Sequence, residues 1–156
     1  MTSTATGLAN DAWEALLSAH AALMKRFAGE DIWQGLSMRE YDVLYTLAKC
    51  QQPQRMGELH RHVLLSQPAL SRLVDRLVER GLLRRHTDTT DRRGVRLSLT
   101  AAGRDTQRRI GRLHARGVAH ALTSELDAGE LRQLETICRK LANSGTRTID
   151  WEDASR

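Results

Sequence analysis

Apolar residues recur along most of this chain at three- and four-residue spacing, the period of a helix with one buried face. From Leu8 to Ala28 the positions Leu8, Ala12, Leu16, Ala19, Leu23 and Phe27 form one stripe, which Trp13, Leu17 and Met24 widen. A stripe that broad exceeds what one contact surface needs, so this helix is expected to pack on two partners. Ser37-Met38-Arg39-Glu40 has the form of a capping box and opens a helix through Tyr41, Leu44 and Leu47, which the Gln51-Gln52-Pro53 stretch ends. A short helix from about Arg55 to Val63 is expected to bury Met56, Leu59 and Val63, with a turn at Leu64-Leu65. Ser66 then caps a helix from Gln67 to Arg80: Pro68 sits in its first turn, where a missing N–H costs nothing, and Gly81 stops it. Leu70, Leu73, Val74, Leu77 and Val78 share its apolar face, leaving Gln67, Ala69, Ser71, Arg72, Asp75, Arg76 and Glu79 on the other.

After Gly81 the period falls to two. Leu83 with Arg85, then Val95, Leu97 and Leu99 alternating with Arg96 and Ser98, predict two short strands joined by a long polar tip from His86 to Gly94. Thr100 caps a long helix, roughly Ala101 to Leu122, carrying Ile110, Leu113 and Ala121. Asp127-Ala128-Gly129-Glu130 is a second capping box, opening a last helix with Leu131, Leu134, Ile137, Cys138 and Leu141 in its seam. The fold class expected is mainly α with one small β-hairpin.

Composition narrows the class. At 156 residues and 40% hydrophobic content the chain makes one ordinary globular domain. Its longest apolar runs are only a few residues, and the start Met1–Gly7 lacks the layout of a signal peptide, so a cytoplasmic protein with no membrane partner is expected. Cys50 and Cys138 lie far apart with no CxxC, which argues against a disulfide framework and reads as two buried, inert thiols. His60 and His62 point to different faces of a helix, and His20, His86, His114 and His120 show no ligand spacing, so neither metal nor cofactor is expected.

The net charge of +5 is unevenly spread. Between Arg72 and Arg116 lie thirteen arginines against five acidic residues, a local balance of +8, and the rest of the chain is mildly acidic. Such a segment fits a face that meets a polyanion, read here as concentrated on the Gln67–Arg80 helix and the hairpin after it. Five aromatics fall in the first 45 residues, Trp151 lies in the tail, and none stands between Thr46 and Asp150. Without aromatic platforms in the basic segment, duplex DNA is the better match than a single strand. Short helix, tight turn, capped amphipathic helix and basic hairpin is the element order of a winged helix-turn-helix, whose helix fits the major groove while the hairpin tip reaches the minor groove. No GxSxG, HExxH, Walker A or GxGxxG motif argues for an enzyme. A helical protein-interaction module is the alternative from another class, and it leaves the hairpin arginines unexplained.

Three stretches carry a family resemblance: Ser66-Gln67-Pro68-Ala69-Leu70-Ser71-Arg72-Leu73-Val74-Asp75-Arg76-Leu77, then Glu79-Arg80-Gly81-Leu82-Leu83-Arg84-Arg85, then Thr87 through the Asp91-Arg92-Arg93 tip to Leu99-Thr100-Ala101-Ala102-Gly103. Together they resemble the MarR family of bacterial winged helix-turn-helix transcription regulators. The resemblance implies a single domain over 1–156: dimerisation helices in 8–35 and 101–143, a DNA-binding lobe in 37–100 and a flexible tail in 144–156. It also implies a homodimer on a pseudo-palindromic operator, with repression the family's commoner mode.

Roles follow by position. Ser66, Gln67, Pro68, Ala69, Ser71, Arg72, Asp75 and Arg76 form the candidate recognition surface, with Gln67 suited to adenine, Ala69 to a thymine methyl, and Arg72 and Arg76 to guanine or phosphate. On the wing, Arg93 and Arg92 are the candidates for the minor groove and Asp91 for orienting an arginine; Arg84, Arg85 and Arg96 are read as positioning on the backbone or as solvated. Relatives release DNA when a small aromatic or phenolic acid binds, and Trp13, Leu17, His20, Met24, Trp33, Met38 and Tyr41 come from the elements that would line such a pocket. The alternative reading of these seven is plain core and interface. Redox-sensing and metal-sensing variants of the family are further alternatives; the redox mechanism uses a cysteine in the first long helix, and none precedes Cys50.

Overall fold

A computed structural model describes residues 5–91 and 94–143. Arg92, Arg93 and the tail 144–156 lie outside the described residues. In chain order the elements are α1 (Ala5–Ala28), α2 (Met38–Lys49), β1 (Gln54–Arg55), α3 (Met56–His60), α4 (Gln67–Glu79), β2 (Leu83–Thr87), β3 (Val95–Leu99), α5 (Ala101–Thr123) and α6 (Ala128–Asn143). The structure is mostly helical with one small antiparallel sheet, as the periodicities predict.

Local chemistry sets the boundaries. At α2 both halves of the capping box form: Ser37 N–H donates to Glu40 Oε2 at 2.8 Å and Glu40 N–H to Ser37 Oγ at 3.1 Å. Ser66 Oγ accepts from Ala69 N–H at 3.3 Å to start α4, and Gly81 ends it at φ +70°, a conformation that costs glycine little. Asp127 and Glu130 cap α6 reciprocally. Thr100 works twice, accepting from Gly103 N–H at 3.0 Å and donating to Gly81 O at 2.6 Å, which ties the start of α5 to the end of α4.

The sheet has a third strand that periodicity could not show. β1, two residues long, pairs with β3 through Gln54↔Leu97 and Arg55↔Arg96, giving the order β1-β3-β2. Two residues carry no alternation, and the expected helix from about Arg55 to Val63 is shorter at both ends: α3 starts at Met56 and stops at His60. Val63 is half-buried beyond its end, and His60 Nε2 lies 2.7 Å from Leu65 O, which holds the turn. β2 and β3 pair from Leu83↔Leu99 to Thr87↔Val95, so His86 belongs to a strand and not to the tip.

Leu44, Leu59, Leu70, Leu77, Leu83, Leu97 and Ile110 form the fully buried centre, where α2, α3, α4, the sheet and α5 converge. Within one chain the flanking helices stay largely uncovered. Phe27 is the only buried residue of α1, and α6 buries none. Leu8, Trp13, Leu16 and Leu17 on α1 and Leu134, Ile137 and Leu141 on α6 are exposed. The expectation of two buried thiols is corrected for the same reason: Cys138 is exposed, since this chain leaves that face of α6 uncovered, whereas Cys50 is half-buried and donates to Thr46 O. Burial pushes the Cys50 thiol above its ordinary pKa, which disfavours the reactive thiolate.

Gly103 marks the tightest joint: a Cβ there would stand 2.0 Å from Leu82 O. Gly103→Ala is expected to destabilise the fold by about 1–3 kcal/mol, since backbone must move to admit the methyl. Gly57→Ala, on α3 with nothing within 4 Å of its Cβ position, is expected to be neutral or stabilising by up to about 1 kcal/mol. Denaturant unfolding of the two variants side by side checks the contrast.

Candidate nucleic-acid interface

The apolar stripe of α4 locks onto the core, so the opposite side is presented outward. Leu70, Leu73, Val74 and Leu77 are each at most 4% exposed. Ser66, Gln67, Pro68, Ser71, Arg72, Asp75 and Arg76 are exposed and Ala69 is half-buried at the helix start. The hairpin of β2 and β3 packs beside α4, joined to it by an Asp75–Arg85 ion pair. One side of the molecule therefore carries both a capped helix start and a hairpin.

The arginines on this side divide into two kinds. Among the described residues the Arg72 guanidinium has no hydrogen-bonding or ion-pair partner, so its charge is available. Arg76 is tethered: its Nε lies 3.1 Å from Glu40 Oε1, while Glu40 Oε2 closes the α2 capping box. Burial opposes charge on Glu40, but the Ser37 backbone N–H and the Arg76 pair outweigh it and hold the carboxyl below its ordinary pKa. Arg80 Nη1 donates to Gly35 O at 2.7 Å, in a turn where Gln34 and Gly35 both take positive φ. Arg84 reaches Ser98 Oγ at 3.3 Å and stays exposed.

Arg96 is a structural tie. Its side chain is 29% exposed, its Nη1 donates to Pro53 O at 3.0 Å, and its Nε lies 3.1 Å from Asp88 Oδ2. The sequence pattern puts Asp88 in the polar tip and Arg55 at the start of a short helix, and nothing in it pairs the two. The single available signal was an Asp two residues before a Thr in a turn, the pattern of a local side-chain cap. Asp91 contributes its backbone carbonyl, which accepts from Gly94 N–H at 2.8 Å. The thirteen-arginine segment also splits: Arg104, Arg108, Arg109, Arg112 and Arg116 lie on α5, so the concentration on one helix and hairpin is smaller than the count implied.

The seven candidate pocket residues fall into two groups. Trp33 and Tyr41 are buried, with ring centroids 5.4 Å apart, and both pack on His114 of α5, as does Phe27. Trp33 Nε1 donates to Phe27 O at 3.0 Å, which fixes the indole. Met38 packs partly buried against the same core and Met24 is half-buried, whereas Trp13, Leu17 and His20 stand exposed along α1. His114, which in sequence shows only that it lacks ligand spacing, is the common neighbour of three aromatic rings. Among the described residues no group of three or more His, Cys, Asp or Glu could hold a metal, and no helix is long and apolar enough to cross a membrane.

A capped helix set beside a three-stranded wing defines a winged helix-turn-helix protein. Residues 36–95 match the MarR family model. Its structure is similar to AbsC, a MarR family transcriptional regulator from Streptomyces coelicolor, at 26% identity and TM-score 0.74 over 90% of this chain and 95% of that one. It is also similar to Sco3205 from Streptomyces coelicolor, solved in complex with DNA, at 26% identity and TM-score 0.75 over 93% and 91%. A third match is a cysteine-to-serine variant of MarR from E. coli complexed with operator DNA, at 26% identity and TM-score 0.71 over 82% and 91%.

The electrostatics of the wing predict acid behaviour. The Thr90 backbone N–H and hydroxyl, working against burial, and then Arg55 and Arg96, hold the Asp88 carboxyl far below the usual carboxylate range. A depressed folded-state pKa contributes stability that is present above the unfolded value and lost as pH falls toward the folded one. Stability measured by circular dichroism is therefore expected to fall below about pH 4, and more shallowly in Asp88→Asn than in the wild type.

Proposed function

We propose that this protein is a transcription regulator that binds a pseudo-palindromic duplex operator as a homodimer, represses the adjoining genes, and is released by a small aromatic or phenolic acid. The observation that carries the DNA reading is the pairing of the exposed α4 start, whose Arg72 guanidinium has no partner among the described residues, and the wing beside it. The helix start enters the major groove, where Gln67, Ala69, Ser71 and Arg72 meet base edges, and the wing tip with Arg92 and Arg93 enters the adjacent minor groove. The printed descriptions of two structural neighbours as DNA complexes support this assignment. Arg76, Arg85 and Arg96 act from intramolecular pairs and are assigned to orientation and backbone contact.

Homodimerisation through 8–35 and 101–143 rests on the uncovered apolar faces. Trp13 is 58% exposed and Ile137 and Leu141 are each 56% exposed, large apolar side chains that a second copy of the chain would cover. For the effector, the packed rings of Trp33 and Tyr41, with Met38 against the same core, are the apolar side of the proposed site, and Trp13, Leu17, His20 and Met24 are its proposed α1 side. Action in the cytoplasm, where bacterial DNA lies, belongs to the same proposal.

Titration of duplex and single-stranded genomic DNA across salt concentrations tests the reading: duplex preference with a steep salt slope is expected, and absence of binding would favour a protein-interaction module. Arg72→Ala and Arg93→Ala are each expected to weaken operator binding by about 1–3 kcal/mol if they meet bases, or to reduce the log–log salt slope by about 0.9 if they meet phosphates. Unchanged affinity and slope for Arg93→Ala would reject the wing's role. Ile137→Asp, which puts a charge in the α6 seam, is expected to shift light-scattering mass from dimer to monomer and to weaken operator binding with it.

A further inference from the structure

A surface hairpin has little use for a fully buried charge, yet Asp88, the first residue after β2, has a side chain 0% exposed. Its carboxylate joins three separate pieces of chain. Oδ1 accepts from Thr90 N–H at 3.0 Å and Thr90 Oγ1 at 2.8 Å, inside the tip itself. Oδ2 takes Arg55 through Nε at 2.7 Å and Nη2 at 2.5 Å, and Arg96 through Nε at 3.1 Å. The Asp88 N–H closes the tip by donating to Gly94 O at 2.9 Å, and a Cβ on Gly94 would stand 3.1 Å from the Asp88 Cβ.

What lies behind the two arginines gives the cluster its meaning. Arg55 is the N-cap of α3, and its N–H donates to Glu58 Oε2 at 2.7 Å, so the Glu58 carboxylate closes the helix start from the N3 side alone. Arg96 runs on to Pro53 O at 3.0 Å, just before β1. The hairpin tip is thus bolted to the first helix of the helix-turn-helix pair, and α3 packs on α4. An apolar closure would hold the hairpin at least as stably, because a buried ion cluster spends much of its attraction on desolvation. What the ion cluster supplies instead is direction: five donors converge on two oxygens, so the tip has one orientation relative to α3 and α4.

We propose that Asp88 is the positioning residue of the wing, fixing the tip against the recognition helix so that the two meet neighbouring grooves at one set spacing. This rests on the DNA-binding reading above, and it makes a prediction of opposite sign to simple charge. Asp88→Asn removes a negative charge near a polyanion, and electrostatics alone would tighten binding. Loss of positioning weakens it, and weakens it selectively.

The experiment uses the duplex that the wild-type protein itself selects from random-sequence DNA, with a scrambled duplex as reference. Asp88→Asn is expected to lose affinity for the selected duplex by about tenfold, the worth of one good groove contact, with little change on the scrambled one. Hydroxyl-radical protection in the minor groove beneath the wing is expected to fade while major-groove protection under α4 persists. Arg55→Gln, which leaves the Thr90 and Arg96 bonds in place, is expected to lower the selected-to-scrambled ratio in smaller measure, and the two losses do not add in the double variant. Should Asp88→Asn not fold, Arg55→Gln carries the test by the same ratio and footprint. Equal or tighter binding with an unchanged footprint overturns the proposal, as does equal weakening on both duplexes with both protections fading together, which marks a merely structural role. Failure of the wild type to select any duplex overturns the DNA reading and the wing role with it, a result seen before any variant is made.

Discussion

The burial of Leu70, Leu73, Val74 and Leu77 against the core is the contact on which the remaining geometry depends. It sets the rotation of α4 about its own axis, and a helix rotated by one residue would turn its face through about 100°. With the stripe locked, Gln67, Ser71 and Arg72 point away from the core together, and Asp75 and Arg76 fall where Arg85 and Glu40 can reach them. Each buried leucine of that stripe is worth a few kcal/mol of stability, more than any exposed ion pair around it, so packing directs and charge follows.

A second consequence is that charge on this surface is sorted by engagement. Arg96 holds the sheet to the chain before β1, Arg80 holds the turn before α2, and Arg76 holds the start of α2. The Arg80 and Arg76 links join α4 to the α1–α2 turn and the start of α2, the same turn that carries Trp33 into its ring contacts with Tyr41 and His114. Basic composition therefore does double duty, building a rigid lobe while leaving a small number of guanidinium groups available.

The uncovered α1 and α6 faces complete the division of labour. Their apolar residues are spaced as carefully as those of the core, yet most remain in water within one chain. The lobe between α2 and α5 has its own buried centre, whereas α1 and α6 bury almost nothing within one chain.

Much of this was legible along the sequence, because helix caps, periodicity and the Gly81 stop are local chemistry: Ser37, Glu40, Ser66, Thr100 and Asp127 each act on backbone within three residues of themselves. The outward face of α4 could be read for the same reason, as the complement of an apolar stripe. What only the tertiary structure decided involves partners distant in sequence. Gln54 and Arg55 became a strand because β3 offered them hydrogen bonds more than 40 residues away, and Arg55 met Asp88 across 33 positions. Arg76 found Glu40 across 36, and five of the thirteen arginines that looked like one basic run followed the chain onto α5. A charge count carries no direction; which arginines stay available and which are bound into the fold is settled only when packing brings the acids to them.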